Sequence, residues 1–243
     1  MRNLFLILAM ALAEGACSVG DSSDLSGEGQ CVVLLHGLAR TSLSMERMAW
    51  SLQDSGYRVA NIDYPSRDHT IEELAPMAVE MGLEQCASSG GADVVHFVTH
   101  SLGGILVRYY FSQHELATLG RVVMLAPPNQ GSVAVDELQE LPGFEWLNGP
   151  AGYQLGKGAD SVPRRLGTPG FEFAVIAGDR TIDPVTSAVL DDPDDGRVSV
   201  SDTRLEGMRD FKVVGSSHAF IMQKGEVIRL VLNFLRHGSF DAG

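Results

Sequence analysis

The stretch Val94-Val95-His96-Phe97-Val98-Thr99-His100-Ser101-Leu102-Gly103-Gly104-Ile105-Leu106-Val107 decides the fold of this chain. Its first five residues form an apolar run of strand length, and the residues after Gly104 read as an apolar helix. Between them a serine sits among small residues. A serine on a sharp turn from strand to helix, usually written G-x-S-x-G, is a nucleophile elbow. The turn lifts the hydroxyl out of the top of a sheet. It also aims the first backbone N–H groups of the helix at whatever bonds to that oxygen. Thr99 stands where the pattern has glycine; a small side chain is needed there because strand and helix approach closely. The alternative is a glycine-rich helix start with Ser101 as its cap.

Outward from the elbow the chain alternates strand and helix, which implies an α/β fold with a mostly parallel sheet covered on both faces. Strands are expected at 31–35, 57–62, 93–98, 121–125, 171–177 and 211–214. Helices are expected at 42–55, 70–86, from the elbow to 113, at 184–190 and at 224–236. Gly56 stops the first helix, and Thr70 with Glu73 has the spacing of a capping box. Between 127 and 170 the rhythm breaks into Pro, Gly, Asn and Gln with Phe144, Trp146 and Tyr153 among them. That length is unusual for a connection inside a compact domain. It is either an irregular surface excursion or an insertion over the active face that supplies the substrate pocket.

The chain has 243 residues, which suits one domain. A hydrophobic fraction of 44% and a charged fraction of 20% fit a globular protein with a full core. The formal charge of -13 argues against a nucleic-acid partner, whose phosphates it would repel. At the N-terminus Arg2 precedes an apolar segment, 4–12, too short to span a bilayer. Ala11-Leu12-Ala13 has the form of an export cleavage site, and Glu14-Gly15-Ala16-Cys17 resembles a lipoprotein box with Cys17 as the lipidated residue. The expected organisation is a signal segment at 1–16, a Ser-, Gly- and acid-rich tether at 17–30 and a folded domain at 31–243. The expected location is periplasmic or secreted, with a membrane tether under the lipoprotein reading. Export permits disulfides. Cys31 opens a strand and Cys86 closes a helix, both at the N-terminal edge of the sheet. They can pair there or remain buried thiols.

Activating Ser101 requires a histidine. His36 and His100 belong to neighbouring motifs, His96 lies within a strand, His69 precedes a helix, and His114 and His237 sit at helix ends. His218 follows the last strand, in Gly215-Ser216-Ser217-His218, and loops after strand C-termini are where chemistry sits in open parallel sheets. The carboxylate that orients the imidazole belongs between Ser101 and His218, also after a strand. Asp179, Asp183, Asp191, Asp192, Asp194 and Asp195 all qualify; Asp179 and Asp183 follow their strand most closely, while Asp195-Gly196 is a turn dipeptide. Two backbone N–H donors should form the oxyanion site. Leu102 follows the nucleophile, and Leu38 lies in the loop after the first strand, where Gly37 permits close approach. A calcium loop from Asp191 fails at its third place, Pro193, which has no side-chain ligand.

Together, Leu35-His36-Gly37-Leu38, Thr99 to Gly104, Pro128-Asn129-Gln130-Gly131-Ser132, Asp194 to Val200 and Ser217-His218 resemble the α/β-hydrolase fold family, in particular small bacterial lipases and esterases. The match runs from Cys31 to about Arg236. The resemblance implies the order Ser101, Asp195, His218 for a catalytic triad, and so favours Asp195 over Asp183 as the acid. It implies no metal or organic cofactor and a small-molecule or lipid ester as substrate; as a departure from the family pattern, no strands are read before Cys31, which suggests a trimmed sheet of roughly six strands. Some lipases of this kind hold calcium through an Asp two residues after the histidine, and Phe220 occupies that place here. The insertion is shorter than a full lipase lid. An acyltransferase or thioesterase would use the same triad, and a non-catalytic tethered binding protein could use the same scaffold.

Overall fold

In a computed structural model of the protein, the described residues are 27, 29–140, 142–182, 184–191 and 193–241. The signal segment, Cys17 and the tether up to 26 lie outside them, as do Asp183 and Asp192. Six strands form one sheet: β1 (Gln30–Leu35), β2 (Arg58–Ile62), β3 (Val94–His100), β4 (Leu119–Leu125), β5 (Phe173–Gly178) and β6 (Asp210–Val214). Every pairing is parallel and the spatial order is β2-β1-β3-β4-β5-β6. The inner strands are continuous apolar runs because both of their faces are covered. Val33 and Leu35 face one side of the sheet, where α2 (Ile71–Ser88) and α3 (Leu102–Phe111) pack. Val32 and Leu34 face the other, against α1 (Glu46–Asp54) and α9 (Gly225–His237). The expected fold class and its alternation of elements therefore hold, with the capping box of Thr70 and Glu73 in place.

Three differences from the sequence expectation have local causes. Residues 42–45 form a 3-10 turn before α1 starts, the tighter winding common at helix ends. β3 runs two residues past Val98, because Thr99 and His100 still pair with Met124 and Leu125 of β4. The 127–170 stretch is not irregular throughout: it holds α4 (Val133–Leu138), α5 (Phe144–Tyr153) and α6 (Val162–Arg165). α5 is kinked at Gly149, whose φ of 63° is left-handed and where a side chain would strike the backbone of Arg67. The short helices α7 (Pro184–Ser187) and α8 (Val200–Thr203) flank the acidic segment after β5. Among the described residues no helix is long and apolar enough to cross a membrane.

Cys31 and Cys86 are both buried and form a disulfide, with Cα atoms 5.9 Å apart and a sequence separation of 55. It clamps the start of β1 to the end of α2, at the sheet edge remote from Ser101. Closing a loop of that length restricts the unfolded chain. Replacing both cysteines by serine is therefore expected to lower the unfolding free energy by about 4 kcal/mol. Urea unfolding of the two forms at equal pH measures the difference, and an unchanged midpoint would contradict it.

Candidate active site

Ser101 adopts φ 51° and ψ -117°, a left-handed backbone that a serine takes up only when its surroundings impose it. The imposition is visible. Its N–H donates to the carbonyl of Leu125 at 2.9 Å, and its carbonyl accepts from Gly104 at 3.0 Å. A Cβ on Gly103 would lie 2.7 Å from the Leu35 carbonyl oxygen, so only glycine lets α3 start this close to β1. Gly104 leaves room for the off-pattern Thr99, whose Oγ1 would sit 3.2 Å from a Cβ there. The cost of the strained turn is met by packing, and the hydroxyl stands at the C-terminal edge of the sheet.

The loops after β5 and β6 meet beside it. His218 Nδ1 lies 2.8 Å from Asp195 Oδ2, and the His218 backbone N–H donates to the Asp195 carbonyl at 2.9 Å. Asp195 Oδ1 accepts from the backbone N–H groups of Arg197 at 3.0 Å and Val198 at 2.9 Å. With Asp195 buried and both oxygens engaged, its carboxylate has one orientation. Because that carboxylate only accepts, Nδ1 carries the proton and Nε2 is the acceptor nitrogen. Gly178, at the end of β5, is what allows the crossing: a Cβ there would lie 2.4 Å from the Ser216 carbonyl oxygen and 3.0 Å from Asp195 Cβ. Asp194 turns away and binds Ser187 Oγ and the Gly196 N–H. Asp179 pairs with Arg180, and Asp191 is exposed. Of the described acids, Asp195 alone reaches His218.

His100 braces this arrangement. Its Nε2 donates to the His218 carbonyl at 3.0 Å, and burial, aided by the charges of His218 and Arg40, holds its pKa well below the usual imidazole range. The ring is thus neutral, with its proton on Nε2. His36 is likewise kept neutral by burial and stacks on Tyr64 at 4.1 Å, which fixes the backbone leading to Gly37. A Cβ on Gly37 would lie 2.6 Å from His100 Nδ1. The next residues, Leu38 and Ala39, turn over the site, Ala39 with a left-handed φ of 55°. Among the described residues nothing accepts a hydrogen bond from the Leu38 N–H. Leu102 is the first residue of α3, where an N–H has no intrahelical acceptor.

Ser101, His218 and Leu38 line one cavity of about 280 Å³. Its remaining wall is largely apolar and comes from the insertion, through residues such as Val135, Leu138, Phe144, Leu147 and Leu155. A larger hollow, about 1280 Å³, opens at the opposite sheet edge around Gly120 and Arg121, and its lining offers no serine, cysteine or lysine. Among the described residues no cluster of three metal-ligating side chains occurs.

The insertion is fastened to α3 by Arg108. This buried guanidinium donates to the Asn129 carbonyl and Oδ1 at 3.2 and 3.0 Å, and to the carbonyls of Pro163 and Gly167 at 3.0 and 2.9 Å. Burial lowers its pKa to about 10, so it remains charged at neutral pH. Sequence reading missed this role, since an arginine in an apolar helix carries no motif. Arg108→Met would leave those acceptors buried and unmatched, and is expected to cost roughly 3 kcal/mol or more. Limited proteolysis within 127–170, faster than in the native protein, is the accompanying readout.

A serine on a strained strand–helix turn, with an acid-bound histidine from later loops beside it, defines a hydrolase-type site on a parallel α/β sheet. Residues 32–226 match the Alpha/beta hydrolase family, and the chain belongs to it. No curated protein matches by sequence. Among solved structures it is similar to the mature lipase BlEst2 of Bacillus licheniformis, at 22% identity and a TM-score of 0.66, over 79% of this chain and 85% of that one. It is similar to phospholipase PlaB of Legionella pneumophila at 18% identity and a TM-score of 0.69, over 87% of this chain and 60% of that one. A metagenomic carboxyl esterase, MGS0156, matches at 17% identity and a TM-score of 0.61, over 81% of this chain and 67% of that one. These likenesses establish the shared fold.

Proposed function

We propose that the protein is an exported serine hydrolase that cleaves carboxylic esters. The reading is carried by one observation: His218, held 2.8 Å from Asp195, lines the same cavity as the strained Ser101. Ser101 Oγ attacks the ester carbonyl carbon while His218 Nε2 takes its proton. The carbonyl oxygen becomes an oxyanion that accepts from the N–H groups of Leu38 and Leu102. Collapse breaks the bond to the alcohol, which leaves with the proton from His218, and an acyl-Ser101 remains. Water, deprotonated by His218, then releases the acid. Asp195 keeps the proton of His218 on Nδ1 and stabilises the imidazolium that forms in each half.

The apolar wall contributed by the insertion supports an acyl group as the part bound there. A cavity of about 280 Å³ sits at the small end of ligand pockets, which favours short or medium acyl chains. The disulfide between Cys31 and Cys86 supports an oxidising compartment. The lipase, phospholipase and carboxyl esterase similarities agree with ester chemistry. A fluorophosphonate probe tests the reading directly. The purified chain should label, Ser101→Ala and His218→Ala should not, and a folded native protein that resists labelling would refute it.

A further inference from the structure

A second depression of about 350 Å³ adjoins the catalytic cavity, and Asp195 and Ile182 help to line it. Arg40, Arg197 and His218 line both spaces, whereas Ser101 lines only the first. This division has a chemical meaning. His218 must hand its proton to the departing alcohol, so the alcohol half of the ester lies on the His218 side. The apolar cavity is left for the acyl half.

Arg40 is half-buried, and among the described residues no carboxylate lies within ion-pair distance of it. Asp195 faces the same depression, but its oxygens are already engaged by His218, Arg197 N–H and Val198 N–H. Burial, with the charge of Arg197 added, lowers the pKa of Arg40. The charge of Arg40 in turn disfavours the protonated forms of His36 and His100. A half-buried guanidinium that lines this depression without a carboxylate partner is placed to receive an anionic substrate group. In a chain of net charge -13 such a cationic spot is not explained by bulk composition.

We propose that Arg40 is a specificity-determining residue that receives an anionic group, phosphate or carboxylate, on the alcohol half of the ester. The inference rests on the ester-hydrolase reading above.

The test compares three butyrates: 1-butyrylglycerol, 1-butyrylglycerol 3-phosphate and the primary butyrate ester of glyceric acid. The native chain is expected to show a kcat/KM at least about tenfold higher for an anionic ester than for the neutral one, shrinking as salt is raised. Which anionic ester is faster distinguishes phosphate from carboxylate recognition. In Arg40→Gln the anionic-to-neutral ratio should fall to near one, whatever the absolute rates; Arg40→Lys should keep part of it. Arg180→Gln, an exposed arginine outside both spaces, should keep the native ratio. A native ratio at or below one, with the neutral ester cleaved and the fluorophosphonate bound, overturns the role of Arg40 alone. So does a high ratio that survives in Arg40→Gln. If no ester is cleaved and no label is taken up, the ester reading fails and this inference falls with it.

Discussion

Ser101→Ala is expected to lower kcat/KM for a short-chain ester by on the order of 10⁶. The methyl group cannot form the acyl intermediate, and no second hydroxyl is held at the same strained turn. His218→Ala should cost about as much, because a serine hydroxyl is a weak nucleophile without its base. The double variant should be no worse than either single one, since nucleophile and base act as a unit. Residual turnover would come from the Leu38 and Leu102 amides and from substrate binding. The strained backbone at φ 51° is held by Leu125, Gly103 and Gly104 and does not depend on the hydroxyl. The variant should therefore fold normally, and a far-UV spectrum and a melting curve check this. Retention of even a hundredth of the native activity in clean preparations would remove Ser101 from the chemistry.

Asp195→Asn is expected to lower kcat by about 10⁴ with little change in fold. The reason lies in the two backbone donors at Oδ1. The N–H groups of Arg197 and Val198 need an acceptor, so the asparagine carbonyl must stay where Oδ1 is now. That forces the side-chain NH₂ toward His218 Nδ1. A donor facing Nδ1 moves the ring proton to Nε2, which can then no longer take the proton of Ser101. The loss should appear in kcat more than in KM, because the cavity wall is untouched. Asp183→Asn, by contrast, should stay within a few fold of native. If the two variants exchanged these behaviours, the acid would be Asp183.

The α/β alternation was readable because its signals are local: apolar runs of strand length, the Thr70–Glu73 capping box and glycine stops. The placement of His218 on the Ser101 cavity was likewise readable from its position after the last strand. Asp195 was different. Six acids crowd the segment after β5, and sequence distance favoured Asp179 and Asp183. What distinguishes Asp195 in space is a pair of backbone donors two and three residues ahead and a glycine at 178 that lets two loops cross. Only the turn dipeptide Asp195-Gly196 hinted at this. Arg108 was invisible because its role depends on which distant carbonyls the fold brings to it, and the role proposed for Arg40 because it depends on which carboxylates the fold keeps away. The helices of the insertion escaped notice because α4 and α6 are short and α5 is interrupted by Gly149 and Pro150.

The insertion is fastened to the rest of the molecule at several joints, and its Ala151, Leu155 and Val162 enter the core shared with α2 and α3. Arg108 reaches it from α3, Lys157 meets Asp202 at 2.7 Å, and Gln154 bonds to the start of α2. Ser132 adds one bond to the Arg197 carbonyl. In the proposed reaction Ser101, Asp195 and His218 are held by the sheet and its loops, and most of the apolar cavity wall by the insertion. Substrate range and chemical competence are thus separable traits of the molecule. Changes at cavity-lining positions outside the core, such as Val135, Leu138, Phe144 and Leu147, can reshape what is accepted while the reacting groups keep their positions, which makes those positions natural ones for redesign.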